Sequence, residues 1–500
     1  MPFCGGRGAK LDSPVSRQET QSQQELRVEP QNSQMEEKSE EIRGRLVRFR
    51  EVRTTIGAEG QVMMGIMPFW TNENSKQILK NMSHPTQPRG NLLQYHLLLQ
   101  EEICQKIVIQ VNPLYIKLFS PTFCIPKRDG SYRQILNARA TNEQTKKIHF
   151  KMISPFDVQQ ALLKDSYLTS IDIKSAFNHI TVHPSLKPYL GFQVEDRSFV
   201  YIDMPFGLRL APIVFTKTFQ MAQAAIKKGL SSTILQYSDD ILIINQNPLE
   251  SSKETQLVKN QLQKFGWIID NKKSEMEQMK EIRYLGLIWN MEEMIVKMPQ
   301  DRQINLLYQL NLLNHQTQQR LEVQTRQLAK LIGKLQFLKF QFQLASFHQI
   351  KLNRLKDKAV HKRGWDSTLR FKHTILSELY WWYTTITQNN PLQLQIKIQQ
   401  TAILTTDASR TGWGVELKLE QSELLQASTW KKSMNLRSSN QREARAILYA
   451  LRKFKLQLAG IDQLAVQTDN QVAVMNLQRK ASAAPLATTL RLIFQEAMQM

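Results

Sequence analysis

The chain has 500 residues and a mass of 58.1 kDa. Because domains usually hold about 100 to 200 residues, we expect two to four of them, which excludes a single small binding module. Lys and Arg number 66 against 44 Asp and Glu, a formal charge of +22, and a field of this sign favours polyanions, nucleic acid first. The three cysteines form no Cys-x-x-Cys pair, so neither a disulfide framework nor structural zinc is expected.

Membrane attachment is not expected either. No apolar run approaches the roughly 18 to 20 residues that span a bilayer, and the N-terminus lacks a secretory signal. The sequence therefore predicts an intracellular protein. It leaves open whether the chain works in the nucleus or the cytoplasm, and in which oligomeric state.

Composition divides the chain into four parts. Residues 1–55 are predicted to be a disordered tail, because a stretch rich in Gln, Glu and Ser holds too little apolar surface to offset its ordering entropy. Residues 56–300 alternate short β-prone runs with helical patterns, which predicts a mixed α/β domain. Residues 301–392 are predicted to be helical and are strongly basic, and residues 393–500 predict a second α/β domain.

Three acids in the first α/β domain point to metal chemistry. Asp239 and Asp240 separate two apolar, β-prone stretches, which predicts a hairpin with both carboxylates at its turn. Asp172 ends another predicted strand, and adjacent strands would bring it beside the pair. Clustered carboxylates repel one another unless cations compensate, which favours Mg²⁺, and two metals about 4 Å apart would support in-line phosphoryl transfer. An ordinary turn is the alternative for Ser-Asp-Asp taken alone.

Four motifs in this region resemble those of reverse transcriptases and occur in the family's order. They are the fingers motif Phe123–Arg133, the segment Met204–Pro212, the box Tyr237–Asp240 and the primer grip Tyr284–Gly286. The resemblance implies that Asp172, Asp239 and Asp240 hold two Mg²⁺ ions, or Mn²⁺ in their place. The implied partners are an RNA template, a DNA primer, an RNA-DNA hybrid and deoxynucleoside triphosphates.

The same resemblance implies cations for the incoming nucleotide. Lys127 or Arg128, together with Arg133, would clamp the triphosphate, whose developing charge needs fixed cations. Lys273 would give a proton to the leaving pyrophosphate, although Lys272 is equally well placed. A solvated run of charges is the alternative for the clamp.

Three further residues are implied to shape the nucleotide pocket. Phe177 matches the steric gate, whose ring crowds a ribose 2′-OH and so favours deoxynucleotides, with a core aromatic as the alternative. Phe206 and Gly207 would line the pocket, glycine permitting a close backbone approach. Asn137 and Leu210 depart from the residues that many relatives carry, so the fine structure of the fingers and pocket is open.

A second set of acids lies in the C-terminal part. Asp407, Glu443 and Asp469 follow one another at intervals of 36 and 26 residues, two at predicted strand ends and one opening a helix. They resemble the ribonuclease H of retroelements, a metal-dependent endonuclease that cleaves RNA in RNA-DNA hybrids. The family usually has a fourth acid, for which Glu496 is not expected to substitute. The sequence thus predicts a piece of a longer polyprotein or an incomplete, weak nuclease.

Further segments are similar to DIRS-type retrotransposons. They are Gly286–Asn290, Leu328–Leu335, Glu378–Trp382 and Ser409–Gly414. The resemblance covers about residues 65–480. It implies an α/β multidomain fold: a right-hand polymerase with fingers, palm and helical thumb and connection, then a ribonuclease H-like α/β domain lacking its C-terminal part.

Alternatives remain for the whole chain. The basic helices would follow the backbone of a template-primer, but a solvated helical surface explains their charge equally well. A catalytically silent nucleic-acid-binding protein derived from such an element would keep the groove without the chemistry. A DNA-templated polymerase would share the metal site. The presence of all three palm acids and of Phe177 favours the RNA-directed polymerase.

Overall fold

A computed structural model of the protein describes residues 42–127, 130–394, 400–431, 433–480 and 484–499. Within these ranges, no helix combines the length and the apolar character that crossing a membrane requires.

The described residues form α-helices and β-strands that alternate along most of the chain. The helices are α1 (Arg45–Arg48), α2 (Arg50–Thr54), α3 (Glu59–Met64), α4 (Ser75–Asn81), α5 (Leu92–Cys104), α6 (Arg139–Glu143), α7 (Pro155–Ala161), α8 (Ala211–Ile226), α9 (Pro248–Lys264), α10 (Gln300–Gln318), α11 (Thr325–Gln336), α12 (Ala345–Arg363), α13 (Leu376–Gln388), α14 (Ser439–Lys453), α15 (Gln471–Arg479) and α16 (Ala484–Ala497). The strands are β1 (Val108–Gln110), β2 (Thr122–Pro126), β3 (Tyr132–Leu136), β4 (Tyr167–Asp172), β5 (Gly191–Val194), β6 (Arg197–Tyr201), β7 (Thr233–Tyr237), β8 (Asp240–Asn245), β9 (Glu275–Met279), β10 (Glu281–Tyr284), β11 (Leu287–Asn290), β12 (Ile295–Lys297), β13 (Glu322–Gln324), β14 (Thr368–Arg370), β15 (Leu392–Gln393), β16 (Thr401–Ala408), β17 (Gly412–Lys418), β18 (Glu423–Thr429) and β19 (Gln463–Gln467).

The predicted boundary of the N-terminal tail at residue 55 is wrong. Helices α1 and α2 lie within the predicted tail, and Leu46 and Arg53 are buried. Arg53 donates a hydrogen bond from Nε to the Phe265 carbonyl at 2.9 Å, and its guanidinium lies 5.2 Å from the ring centroid of Trp267. A composition count treats arginine as polar, whereas its stem and planar head pack well on an aromatic ring. Residues 1–41 of the predicted tail lie outside the described residues.

The sheet that carries the first three predicted acids has the strand order β7-β8-β4-β9 and is antiparallel. Successive side chains of β8 point into two different cores, since a strand alternates its faces. Ile241 and Ile243 join a core with helices α8 and α9, whereas Leu242 and Ile244 join a core around Trp289. This double burial fixes the register of β8, because a slip by one residue would exchange the two faces.

A two-stranded hairpin, β2-β3, lies next to helix α5. The two strands pair antiparallel, with Ile125 opposite Arg133. Tyr95 of α5 and Thr122 of β2 join their hydroxyls at 2.6 Å, which ties the helix to the hairpin. The helix also contacts β1, which belongs to a sheet of order β1-β6-β5.

Helices α10 to α13 form a separate helical core, as the sequence predicted for this basic region. Leu328, Leu331 and Leu335 recur at helical spacing in α11 and are buried against Trp382 of α13. The strands β13 and β14 pair antiparallel, and Val323 of β13 belongs to the same core.

The C-terminal part forms a sheet of order β18-β17-β16-β19. The first three strands are antiparallel, and β19 runs parallel to β16. Helices α14 and α16 pack together over a core that contains Leu404, Ile447 and Leu490. Because β16 and β19 are parallel neighbours, their carboxyl ends lie at the same edge of the sheet.

Candidate active sites

The first three acids meet at one end of the central sheet. Strand pairing places Asp172 of β4 directly opposite Asp240 of β8. Asp239 lies in the turn between β7 and β8, where Ser238 adopts a left-handed conformation with φ 54°. The Ile173 amide donates to the Asp239 carbonyl at 3.2 Å, which holds this turn against the end of β4. The fold thus brings the predicted trio together.

The electrostatics of this group favour cations. Burial raises the pKa of Asp172 to about 7, and the charge of Asp239 adds to the effect. The pKa of Asp240 rises to about 6 for the same two reasons, even though the residue lies at the open rim. Lys273 lowers both pKa values without cancelling the rise. Oxygen ligands carrying uncompensated negative charge are the donor set of Mg²⁺, so the three residues fit a divalent ion.

Two cavities flank the carboxylates. The first, called the nucleotide-side cavity after the clamp residues that the sequence predicts, has a volume of about 270 Å³, and its wall includes Lys127, Arg133, Phe206, Asp172 and Asp239. The guanidinium of Arg133 lies 4.2 Å from the ring centroid of Phe206, so the cation and the ring form one surface. This wall joins predicted clamp and pocket residues to two predicted metal ligands.

Not every predicted pocket residue lines this cavity. Phe177 is 8% exposed and packs behind Phe206, with the ring centroids 4.9 Å apart. Gly207 has a φ of 115°, and a Cβ there would lie 2.1 Å from the Leu136 carbonyl oxygen, so it supports the wall from behind. Arg128 lies outside the described residues.

The second cavity, the primer-side cavity, has a volume of about 560 Å³. Asp172, Asp240 and Tyr284 line it, and the Tyr284 hydroxyl donates to the Asp240 carbonyl at 3.4 Å. Lys273 lines both cavities, and its Nζ lies 3.3 Å from Asp270 Oδ2. Of the two lysines that the sequence left open, Lys273 is therefore the one that faces the carboxylates.

The C-terminal acids form a tighter group. The ligand atoms of Asp407, Glu443 and Asp469 lie within 4.8 Å of one another, the kind of group that holds a metal ion. Asp407 lies near the end of β16, and Asp469 follows the parallel strand β19. Glu443 projects from α14, is 3% exposed, and has its pKa raised by burial and by both neighbouring acids. Three oxygens of this charge also fit a divalent cation.

Sequence reasoning missed the residues that hold this second trio. Thr468 donates from Oγ1 to Glu443 Oε2 at 3.3 Å, and Asn470 donates from Nδ2 to Asn440 Oδ1 at 2.9 Å. Thr468 and Asn470 flank Asp469 in the motif Thr-Asp-Asn, and Asn440 precedes Glu443 in the motif Asn-Gln-Arg-Glu. Their position beside predicted acids is the signal that could have identified them. Glu496 pairs with Arg452 at 2.7 Å, away from the trio.

Comparisons with known proteins agree with this geometry. Residues 125–289 match the family described as "Reverse transcriptase (RNA-dependent DNA polymerase)". The chain is 27% identical over 228 residues to the genome polyprotein of Petunia vein clearing virus (isolate Shepherd), a match that covers 44% of the chain and 10% of the polyprotein. It is 25% identical over 366 residues to the enzymatic polyprotein of Figwort mosaic virus (strain DxS), covering 70% of the chain and 51% of the polyprotein.

A third relative is the retrovirus-related Pol polyprotein from transposon 297 of Drosophila melanogaster. It is 29% identical over 194 residues, which are 38% of the chain and 18% of that polyprotein. The chain thus spans between a tenth and about half of the length of these relatives. It contains a reverse transcriptase domain and is homologous to retroviral and retrotransposon polyproteins.

Solved structures extend the likeness to the fold. The foamy viral protease-reverse transcriptase in complex with an RNA/DNA hybrid has a TM-score of 0.52 and 16% identity, covering 86% of the chain and 55% of the other. The same protein in complex with dsDNA has a TM-score of 0.51 and 16% identity, covering 86% and 85%. At 16% sequence identity, the similarity to these structures shows a shared fold. The predicted fold class, a right-hand polymerase followed by a ribonuclease H-like α/β domain, is confirmed.

Proposed function

We propose that the chain is the RNA-directed DNA polymerase of a retrotransposon, extending a DNA primer on an RNA template with deoxynucleoside triphosphates. The observation that carries this proposal is the position of Asp172, Asp239 and Asp240 between two cavities, and we assign one reactant to each cavity. Asp172 and Asp240 line the primer-side cavity, and Asp172 and Asp239 line the nucleotide-side cavity.

The proposed roles follow from placement. Asp172, Asp239 and Asp240 would hold two Mg²⁺ ions, and such ions would supply charge stabilisation for the transfer of a phosphoryl group. The pKa of Asp172 is raised to about 7 and that of Asp240 to about 6, so metal binding near neutral pH would compete with protonation of these carboxyls. Mn²⁺ meets the same oxygen ligands and would serve as the substitute.

The nucleotide is proposed to bind across the nucleotide-side cavity. Lys127 and Arg133 bind the triphosphate, with Arg128 as the further candidate, because fixed cations stabilise its developing charge. Lys273 lies on the carboxylate side, where it would protonate the departing pyrophosphate. These cations recognise the triphosphate that all four nucleotides share, so the choice among bases is left to pairing with the template.

The sugar is proposed to be selected by aromatic packing. Phe206 lines the cavity, and Gly207 lies behind it. Phe177 packs against Phe206 and would limit the space for the sugar by fixing the position of that ring. A 2′-OH would need room that these two packed rings fill, so deoxynucleotides are preferred.

The C-terminal trio is proposed to be a ribonuclease H centre that cleaves RNA in RNA-DNA hybrids. Asp407, Glu443 and Asp469 would bind Mg²⁺, and their close grouping supports this assignment. Glu443 is the buried member, so it is the least able to remain charged without a metal. Cleavage within a hybrid makes the proposed activity that of an endonuclease.

The domain division and substrate path are proposals of the same kind. Fingers and palm extend to about residue 300, thumb and connection occupy 301–392, and the ribonuclease H-like domain begins at about 393. The helical segment between 301 and 370 contains 13 Lys and Arg against 4 Asp and Glu, and would follow the phosphates of a template-primer without reading sequence. The four segments that are similar to DIRS-type elements support placement in that subgroup.

Primer extension on an RNA template tests the polymerase. The intact chain with Mg²⁺ and deoxynucleotides is expected to extend the primer, and Asp239→Asn combined with Asp240→Asn to abolish extension. Asp196→Asn removes an exposed acid in the β5-β6 turn and is the matched control. If the intact chain binds the hybrid tightly and in a salt-sensitive way but does not extend the primer, the silent binding protein is favoured. Extension on DNA templates alone would favour the DNA-templated polymerase.

Cleavage of a hybrid with labelled RNA tests the nuclease. Asp469→Asn is expected to abolish Mg²⁺-dependent cleavage, while Glu420→Gln, which changes an acid in the β17-β18 connection, leaves it unchanged. Cleavage that survives Asp469→Asn would refute the assignment of the trio.

A further inference from the structure

An acid in the nucleotide-side cavity has no role in the chemistry proposed above. Glu102 of helix α5 lines this cavity, and its Oε2 accepts a hydrogen bond from the Tyr201 hydroxyl at 3.0 Å. The Tyr201 oxygen in turn accepts a hydrogen bond from Gln134 Nε2 at 2.9 Å. Tyr201 is 2% exposed and Gln134 is 4% exposed. A relay from the half-buried Glu102 through the buried Tyr201 and Gln134 therefore joins three elements that are distant in the sequence: α5, β6 and β3.

The relay ends beside the nucleotide clamp. Gln134 directly follows Arg133 on β3, and Arg133 lies against the Phe206 ring at the cavity wall. Strand β3 pairs only with β2 among the described residues, and an isolated two-stranded hairpin is marginally stable in water. Contacts from outside the hairpin must therefore fix the position of β3. The relay supplies one for β3, and the bond between Tyr95 and Thr122 supplies one for β2.

The protonation state of Glu102 matters because of where it lies. Burial raises the pKa of its carboxyl to about 8, and the neighbouring charge of Glu101 adds to this, while the hydrogen bond from Tyr201 opposes it. The titratable groups that face Glu102 from its own helix, from β6 and across the cavity are Tyr95, Glu101, Tyr201, Lys127, Tyr132, Arg133, Asp172, Lys174, Asp239, Asp270 and Lys273. At pH 7 the carboxyl is mostly neutral, so it places little further negative charge where a triphosphate would bind.

We propose that Glu102 is a positioning residue of the nucleotide site, acting through Tyr201 and Gln134 on the strand that carries Arg133. This inference rests on the proposed polymerase function. Gln134 Oε1 is buried without a hydrogen-bond partner, so the relay through Nε2 is what orients this amide. Loss of the relay removes one of the contacts that hold β3, another being the bond from the Leu136 amide to the Phe206 carbonyl at 3.2 Å, and Arg133 would shift with the strand.

Ionisation of Glu102 should weaken nucleotide binding as the pH rises. As the pH rises through about 8, Glu102 loses its proton and gains a negative charge in the cavity. That charge repels the incoming triphosphate, so nucleotide binding weakens on the alkaline side. The pH profile of kcat/KM reports groups of the free enzyme and is therefore the profile in which this ionisation appears.

Two substitutions separate the relay from the charge. Tyr201→Phe removes the hydroxyl that makes both bonds and keeps the ring, which packs 5.3 Å from Phe192. Glu102→Gln keeps an oxygen that accepts from Tyr201 and removes the ionisation. Glu73→Gln changes an exposed glutamate in the turn before α4 and is the matched control.

The first assay measures the binding of a correctly paired deoxynucleotide to the full chain on a template with a dideoxy-terminated primer. It runs from about pH 6.5 to 9.5, a window that brackets the ionisation of Glu102. The second assay measures kcat and KM for primer extension. Tyr201→Phe is expected to raise the nucleotide Kd and KM about five- to tenfold, the effect of one or two lost hydrogen bonds, with kcat within about twofold of wild type. In the wild type and in Glu73→Gln, the Kd rises above about pH 8. In Glu102→Gln it stays flat.

The inference fails if Glu102→Gln keeps the alkaline rise, or if Tyr201→Phe lowers the melting temperature while the nucleotide Kd and KM stay at wild-type values. The second result would assign the relay to stability alone. The binding arm needs no turnover, so a chain that binds nucleotide without extending primers would count against the proposed function and leave the relay measurable.

Discussion

Gly207 offers a sharp test of how the proposed nucleotide pocket is built. Its φ of 115° lies outside the conformations that residues with a side chain readily adopt, and a Cβ there would lie 2.1 Å from the Leu136 carbonyl oxygen. Leu136 also donates from its amide to the Phe206 carbonyl at 3.2 Å. Gly207→Ala must therefore force the end of β3 away from the Phe206 segment by about 1 Å, since non-bonded contacts this short do not occur.

The expected magnitude has two parts. Backbone strain at such a φ costs about 1–3 kcal/mol, and loss of the bond between Leu136 and Phe206 adds about 1 kcal/mol. Gly229→Ala is the matched control, because Gly229 has a φ of 89° but no heavy atom lies within 4 Å of where its Cβ would be, so it suffers strain alone. Because both variants carry the strain, the lost bond sets the difference, and we expect Gly207→Ala to melt roughly 2–4 °C below Gly229→Ala, at about 2–4 °C per kcal/mol for a unit of this size.

Calorimetry of the first unfolding transition measures the stability difference, and primer extension measures the nucleotide KM. Gly207→Ala is expected to raise the KM because Phe206 and the strand of Arg133 separate, whereas Gly229→Ala leaves it near the wild-type value. Equal melting temperatures for the two variants would refute the reasoning, since the Leu136 carbonyl would then present no wall to a methyl group.

Further predictions concern the two centres and the helical body. Phe177→Ala is expected to raise the incorporation of ribonucleotides relative to deoxynucleotides about tenfold or more, equivalent to about 1.4 kcal/mol, as judged from the ratio of kcat/KM values, and an unchanged ratio would refute its role. Lys273→Ala is expected to lower kcat more than it raises KM, because a proton donor acts in the transition state. Glu443→Gln is expected to abolish hybrid cleavage and to raise the melting temperature at alkaline pH. Because the fold raises the pKa of Glu443, its ionised form destabilises the folded protein at high pH, and the gain in melting temperature should shrink as the pH falls. Gly333→Ala, in α11 with no atom near the added methyl, is expected to stabilise by about 0.5–1 kcal/mol in calorimetry.

The sequence predicted both acid trios because short-range patterns contain them. Asp172 and Asp240 end one strand and begin another, and antiparallel pairing of two apolar strands places such residues opposite each other. Asp407 lies near the end of β16 and Asp469 just after its parallel neighbour β19, and Glu443 lies near the start of a helix with a clear cap at Ser438. For each trio, a local sequence pattern and one rule of strand pairing were sufficient to predict that the acids lie together.

The sequence could not place residues whose position depends on packing between layers. Phe177 matches a motif, yet whether its ring lines the cavity or lies behind Phe206 depends on how two rings share one space. Arg53 was misplaced for the same reason at the N-terminus, since only the fold reveals Trp267 as the surface on which its side chain is buried. Composition describes a side chain's solubility and carries no information about its eventual neighbour.

Glu102 marks the limit of sequence reasoning most clearly. Its partners Tyr201 and Gln134 lie 99 and 32 residues away along the chain, 67 residues from each other, and no periodic pattern links them. In the sequence, Glu101 and Glu102 form an acidic pair at the end of an amphipathic helix, which by itself favours a solvated surface. Only the pairing of β1 with β6 and the packing of α5 on the β2-β3 hairpin bring a tyrosine hydroxyl to that carboxyl. Because Glu102→Gln keeps the oxygen that accepts from Tyr201, combining it with Tyr201→Phe should raise the nucleotide Kd at neutral pH no further than Tyr201→Phe alone.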